Sequence, residues 1–258
     1  MTERKQSAAD KKNTAEKTRL NKYLAESGIC SRREADKLIM EGRVTLNGRV
    51  AELGSVVTGK VTITVDGKTV KGKKDKVVLA YYKPVGVICT ERDPFADKTI
   101  LQSLNYSERV TYAGRLDKDS EGLMIMTNDG DLIHAMMRGA NRHEKEYVVK
   151  VHKEVTNDFL RDMEAGVYLP ELKERTRACR TEKIGKYTFR IVLTQGLNRQ
   201  IRRMCKEFGY QVVSLKRIRI MNVELGDLKY NQYREITGVE LTTLYERAGL
   251  LHGNEKTL

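Results

Sequence analysis

The stretch that most constrains this chain is residues 113–130. It opens with Gly114-Arg115-Leu116-Asp117 and passes through a second polar turn that ends in Gly122. It then runs through four apolar residues, Leu123-Met124-Ile125-Met126, and stops at Asn128-Asp129-Gly130. An apolar run bounded by turn residues reads as a buried strand. A single carboxylate, Asp117, on a tight loop ahead of such a strand is a place where chemistry can be mounted, because rigid elements position reactive groups carried on loops. Asp and Gly also populate turns for purely local reasons, so the loop alone does not separate a turn from a site.

The second unusual stretch is residues 195–209. Asn198 is expected to cap a helix whose apolar face is Ile201, Met204, Cys205 and Phe208, with Gly209 closing it. Arg199, Arg202, Arg203 and Lys206 fill the remainder. Between positions 199 and 219 there are seven basic residues and one acidic one, Glu207. So one-sided a face repels itself unless phosphate or a carboxylate neutralises it. Arginines in the first turns of a helix also oppose its dipole, at a cost of roughly a few tenths of a kcal/mol each.

That local excess matches the whole chain. With 48 Lys plus Arg against 35 Asp plus Glu, the net charge is +13, and the expected partner is a polyanion. Charged residues make up 32% and hydrophobic ones 40% of 258 residues, apolar enough for a core and long enough for one large domain plus a small one. No run of about 18 apolar residues is present, and the N-terminus lacks the apolar segment of a signal peptide. The protein is expected to be soluble and cytoplasmic. Cys30, Cys89, Cys179 and Cys205 show no C-x-x-C spacing and are expected to be free thiols. The histidines form no metal motif, and no phosphate-binding glycine loop occurs in a strand-to-helix context. Neither a metal nor a cofactor is expected.

Five segments follow from the order of patterns. Residues 1–17 read as a disordered basic tail, and 18–66 as a small domain. In the latter, Leu20, Tyr23, Leu24 and Ile29 suit one face of a short helix. Ser31-Arg32-Arg33-Glu34 is a capping box opening a second helix with Ala35, Leu38 and Ile39 inside. Asn47-Gly48 marks a hairpin turn, and Asp66-Gly67 ends a strand. Residues 67–76, rich in Gly and Lys, read as a linker; 77–245 as the large domain; 246–258 as a C-terminal tail. In the large domain, 77–82 and 144–151 are expected strands, Tyr187 to Leu193 is a strand with Phe189, Ile191 and Leu193 on one face, and Asp131 is expected to cap a helix.

Two resemblances carry these patterns further. Arg19-Leu20-Asn21-Lys22-Tyr23-Leu24, Ser31-Arg32-Arg33-Glu34-Ala35-Asp36 and Gly42-Arg43-Val44-x-Leu46-Asn47-Gly48 resemble the RNA-binding domain named after ribosomal protein S4. The resemblance implies RNA contacts by Arg32, Arg33, Lys37 and Arg43. In the large domain, Lys83-Pro84-x-Gly86, Gly114-Arg115-Leu116-Asp117-x-x-Ser120-x-Gly122-Leu123, Glu144-Lys145-x-Tyr147 and Gly196-x-Asn198-Arg199-Gln200-Ile201-Arg202-Arg203-Met204 resemble, in that order, the RNA pseudouridine synthases of the RsuA/RluB/RluE/RluF family. The arginine-rich helix and Arg217-x-Arg219-Ile220-Met221-Asn222-Val223 look most like its RluF-type members.

The resemblance implies an α+β chain: an S4-like domain, then a catalytic domain built on a mixed, mainly antiparallel sheet flanked by helices. It implies isomerisation of uridine to pseudouridine without a cofactor, by cutting the base from C1′, rotating it and rejoining it through C5. Asp117 would be the key catalytic group. A carboxylate can attack C1′ or stabilise charge there, attack the base, or abstract a sugar proton, and the sequence does not choose among these. Arg202 would pair with Asp117, since a nearby cation favours the ionised carboxylate. Tyr147 would stack on the target base, Ile201 and Leu215 would form an apolar wall, and Arg115 would hold the flipped nucleotide. Arg199 and Arg203 would contact RNA. The implied partner is a structured RNA: a large-subunit (23S) rRNA stem-loop, with a tRNA anticodon loop as a further target and small-subunit rRNA as the runner-up. Nothing in the sequence calls for more than a monomer. A non-catalytic RNA clamp or ribosome-assembly factor would explain the charge but leaves Asp117, Tyr147 and Arg202 without a purpose.

Overall fold

The computed structural model describes residues 17–90 and 98–251. The expected basic tail lies outside the described residues except for Lys17. The chain divides into two compact units, residues 1–75 and 76–258, each with its own core.

In the first unit, helices Leu20–Glu26 and Arg32–Met40 pack over a small sheet. Leu20, Leu24, Ala35 and Ile39 are buried. Ile29 was expected on the same face but is 46% exposed, because the first helix stops at Glu26 and Gly28 turns the chain with φ of 74°. The capping box forms as expected: Ser31 Oγ accepts from Glu34 N, and the Glu34 carboxylate accepts from Ser31 N. Val44–Leu46 pairs with Arg49–Val50 around Asn47-Gly48, both with positive φ, the geometry of a two-residue hairpin turn. Asp66-Gly67 repeats it between Ile63–Val65 and Lys68–Thr69. The second hairpin revises the expected linker. Lys68–Thr69 is a strand of the small unit, and Val70 packs on its core.

The second unit is organised by one nine-stranded sheet. Its main path runs Arg180–Gly185, Thr188–Leu193, Lys145–Val151, Val212–Ile220, Glu121–Thr127, Val78–Lys83, Tyr233–Glu235. Every pairing is antiparallel except that between Val212–Ile220 and Glu121–Thr127. The sheet is therefore mixed and mainly antiparallel. The apolar runs 77–82 and 123–126 are explained by cover on both faces. Leu79, Tyr81, Met124 and Met126 enter one core, while Val78, Ala80, Leu123 and Ile125 enter the other. Helices Asn157–Glu164 and Gln200–Glu207 contribute to the first core, and Gly130–Met137 and Gly238–Arg247 to the second.

Two boundaries differ from expectation. The helix after the central strand is capped by Asp129, not Asp131: the Asp129 carboxylate accepts from the backbone N–H of Asp131 and Leu132. The expected C-terminal tail begins inside a helix, since Gly238–Arg247 carries Leu244 into the core and Ala248, just after it, is buried there too. No helix among the described residues is long and apolar enough to cross a membrane.

Asp129 ties these parts together. It is 3% exposed, accepts from the Tyr245 hydroxyl at 2.6 Å and lies 2.9 Å from Lys76 Nζ. Burial pushes its carboxyl up, but the Tyr245 hydrogen bond and Lys76 outweigh this and hold it below the ordinary value. Its stabilising effect is thus complete above the unfolded carboxylate value and is lost as pH falls through the depressed folded one. Asp129→Ala is expected to destabilise the large unit by about 2–4 kcal/mol at neutral pH, read by denaturant unfolding, with the difference from wild type shrinking on acidification.

Candidate active site

The site begins where the sheet changes direction. Only Lys216↔Glu121 and Arg217↔Gly122 pair in the parallel join. Gly122 has φ of 113°, and a Cβ there would lie 2.2 Å from the Arg217 carbonyl oxygen. The loop ahead of Gly122 is consequently carried to the centre of the sheet and held there by its backbone.

The holding groups are mostly cations. Lys83 is fully buried, and its Nζ donates to the carbonyls of Pro84 and Ser120, both at 2.7 Å. Burial lowers its ammonium to about 8. Arg217, 2% exposed, donates from Nε to Leu123 O at 2.7 Å and from Nη1 to Arg115 O at 3.5 Å. Gly86 N donates to Lys118 O, and Leu116 N to Cys89 Sγ. Asp117 sits in the middle of this clamped loop with its side chain 32% exposed, fixed in backbone yet open to a substrate.

Asp117, Arg115, Tyr147, Ile201, Leu215 and Arg199 line one cleft of about 500 Å³. Tyr147 is 9% exposed, on the strand Lys145–Val151, and Ile201 and Leu215 are buried in the same core. Among the described lining residues Asp117 is the single carboxylate, and it shares the cleft with Arg115, Lys118, Arg138, Arg142, Lys145, Arg199 and Arg217.

Arg202 is placed differently from expectation. Its guanidinium donates to Asp119 O at 2.8 Å and Ser120 Oγ at 3.3 Å, and pairs with the Asp119 carboxylate at 3.3 Å. The cation nearest Asp117 is Arg199, 3.6 Å from Oδ2, which also binds Asp119 at 2.8 Å. The reason is the start of the helix. Asn198 does not cap it. Arg199 occupies the preceding position with φ of 50°, and its side chain reaches the loop, whereas Arg202, almost one turn further on, meets the loop at Asp119. Burial raises the Asp119 carboxyl, but Arg199 and Arg202 outweigh this and keep it below its ordinary value. Arg203 is engaged elsewhere, with Asn198 O and the Glu171 carboxylate.

In the small unit, Arg32, Arg33 and Lys37 are exposed with no side-chain partner among the described residues. Arg43 is already held by Asp66, through two bonds of 2.7 Å, and by Glu41 at 3.0 Å.

Lys83 and Arg217 stand inside sequence motifs that give them no task of their own. The available signal was a charged residue in strand register: Lys83 directly follows the apolar run, and Arg217 shares its strand face with Leu215.

Comparison with known proteins gives the family. The RNA pseudouridylate synthase family model matches residues 77–207, and the S4 domain model residues 18–63. The dual-specificity RNA pseudouridine synthase RluF of Escherichia coli (strain K12) is 48% identical over 88% of this chain and 78% of its own length. Ribosomal large subunit pseudouridine synthase B of Bacillus subtilis (strain 168) is 36% identical over 91% of this chain and 98% of its own. A crystal structure of a pseudouridylate synthase superposes with a TM-score of 0.64 at 28% identity, covering 88% of this chain and 99% of that one. The chain belongs to the RNA pseudouridylate synthase family, with an N-terminal S4 domain. It is an enzyme that isomerises uridine to pseudouridine in RNA.

Gly122→Ala is expected to cost more than about 3 kcal/mol, because both the positive φ and the approach to Arg217 fail. Thermal unfolding of the purified variant measures it.

Proposed function

We propose that this enzyme modifies a uridine in a stem-loop of large-subunit (23S) rRNA, with a tRNA anticodon loop as a second substrate, and that Asp117 is the catalytic group. The observation that carries the site is Asp117 itself: the one carboxylate on a cationic cleft wall, clamped in backbone and open in side chain. The substrate class is supported by relatives at 47–48% identity whose names describe a dual-specificity RNA enzyme.

A uridine paired in a stem cannot reach Asp117, so the nucleotide flips out, at a cost of about a few kcal/mol. Its base stacks on Tyr147 against Ile201 and Leu215. Arg115, exposed at the cleft edge, holds the flipped nucleotide. The Asp117 carboxylate then attacks C1′, or supports the positive charge that develops there as the N1–C1′ bond opens. Arg199 pairs with the Asp117 carboxylate at 3.6 Å and fixes its position. Arg202 acts one step back, fixing the Asp119–Ser120 turn. The base rotates on Tyr147 and rejoins through C5, so atoms are conserved and no water is consumed.

The small unit supplies affinity. Arg32, Arg33 and Lys37 are free to meet phosphates, while Arg43 first gives structure to the hairpins it joins through Asp66.

Asp117→Asn is expected to fold and bind RNA like the wild type and to form no pseudouridine; substantial product from that variant would overturn the assignment. Replacing Arg32, Arg33 and Lys37 together by Ala is expected to weaken RNA binding and reduce the slope of log K against log salt by about 2–3, measured by filter binding, with the single-turnover rate at saturating RNA unchanged.

A further inference from the structure

Lys145 lines the same cleft and has no role in the scheme above. It opens the strand Lys145–Val151, and alternation places it on the same face as Tyr147. The register against Thr188–Leu193 is unbroken, with Lys145 opposite Leu193 and Tyr147 opposite Ile191. Its other cross-strand neighbour is Ile220. Lys145 is half-buried between these two apolar strand neighbours, and its ammonium makes no hydrogen bond or ion pair among the described residues. Burial, and then repulsion from Arg217, lowers it to about 8. A partly desolvated cation without an ion-pair partner is costly to keep. The cost has a purpose if an anion forms beside it during turnover.

The chemistry supplies such an anion. When the N1–C1′ bond breaks heterolytically, the electron pair stays on the base, and the negative charge spreads from N1 to O2 and O4. The charge disappears when C5 bonds to C1′, the proton lost from C5 being balanced by the one gained at N1. RNA phosphates are a less suitable partner for Lys145. The exposed Arg115, Arg138 and Arg142 already stand at the cleft where the backbone would pass, whereas Lys145 lies on the inward face that carries Tyr147.

We propose that Lys145 is a further catalytic residue, whose ammonium donates to a carbonyl oxygen of the uracil as the glycosidic bond breaks and holds the detached base anion against Tyr147 until C5 is presented to C1′. Lys145 keeps its own proton throughout. The inference rests on the placement of the flipped base against Tyr147 and beside Asp117. An ammonium aimed at charge that exists only during the reaction stabilises the transition state more than the bound substrate.

The test uses the full chain with an rRNA stem-loop that the wild type modifies. Lys145→Met is expected to slow single-turnover pseudouridine formation about 100-fold, with the RNA Kd changed less than about 3-fold. Its melting temperature is expected to equal or exceed that of the wild type, because an unpaired, half-buried charge has been removed. Lys145→Gln is run beside it, so that the rate is read from a neutral variant with an intact fold. A wild-type rate in these variants, with Asp117→Asn inactive in the same assay, overturns this inference alone. A weaker Kd with an unchanged rate at saturating enzyme overturns it in favour of a phosphate contact. Activity of Asp117→Asn at the wild-type rate overturns the placement it rests on, and the inference with it.

Discussion

The structure depends on the approach of Gly122 to the backbone of Arg217. Two antiparallel halves meet there in the one parallel join of the sheet, and only two residue pairs hold them. A side chain at 122 would push the halves apart. Because the parallel pairing is so short, the strands diverge on leaving it, and the cleft occupies the space ahead of the join. The reactive loop enters the sheet at the same point. Placing Asp117 there puts it in one cleft with residues from both halves: Arg115 from one side, Tyr147, Leu215 and Arg217 from the other.

The cations of the large unit divide by what they bind. Lys83 and Arg217 are buried and spend their donors on carbonyls of the loop and the strand after it. They replace, with charge-assisted bonds, the ladder that a loop at the end of a strand would lack. Arg199 and Arg202 neutralise its carboxylates. Arg115, Arg138 and Arg142 stay exposed at the cleft. A net charge of +13 thus serves architecture as much as it serves RNA, and counting basic residues would overstate the binding surface.

Much of this was legible in the sequence. The capping box at Ser31, the Asn47-Gly48 turn, the buried run at 123–126 and the alternation of Phe189, Ile191 and Leu193 are local patterns with local causes, and the structure reproduces them. Where the reading failed, the cause was tertiary. Asp129 took the cap from Asp131 because it also reaches Tyr245, distant in sequence. Arg199 took the place beside Asp117 because its left-handed backbone begins the helix one residue later than the Asn198 cap requires. Lys68–Thr69 joined the small sheet because Asp66-Gly67 makes a second hairpin, which a charge-rich composition disguised as linker. None of these outcomes changes hydrophobic periodicity, which is why periodicity did not reveal them.

The parallel join also sets an order of events. It brings together Arg217 and Leu123, 94 residues apart, and the antiparallel pairings of the same sheet also join distant segments, Tyr147 with Arg217 and Leu79 with Glu235. Doubling a loop adds only about 0.6 kcal/mol to the cost of closing it, so the distance scarcely weakens the finished enzyme. Its effect falls on time: local pairings form early and distant ones late. The loop bearing Asp117 acquires its shape only once such distant seams have closed, so a newly made chain gains its chemistry late in folding, after its local hairpins have formed.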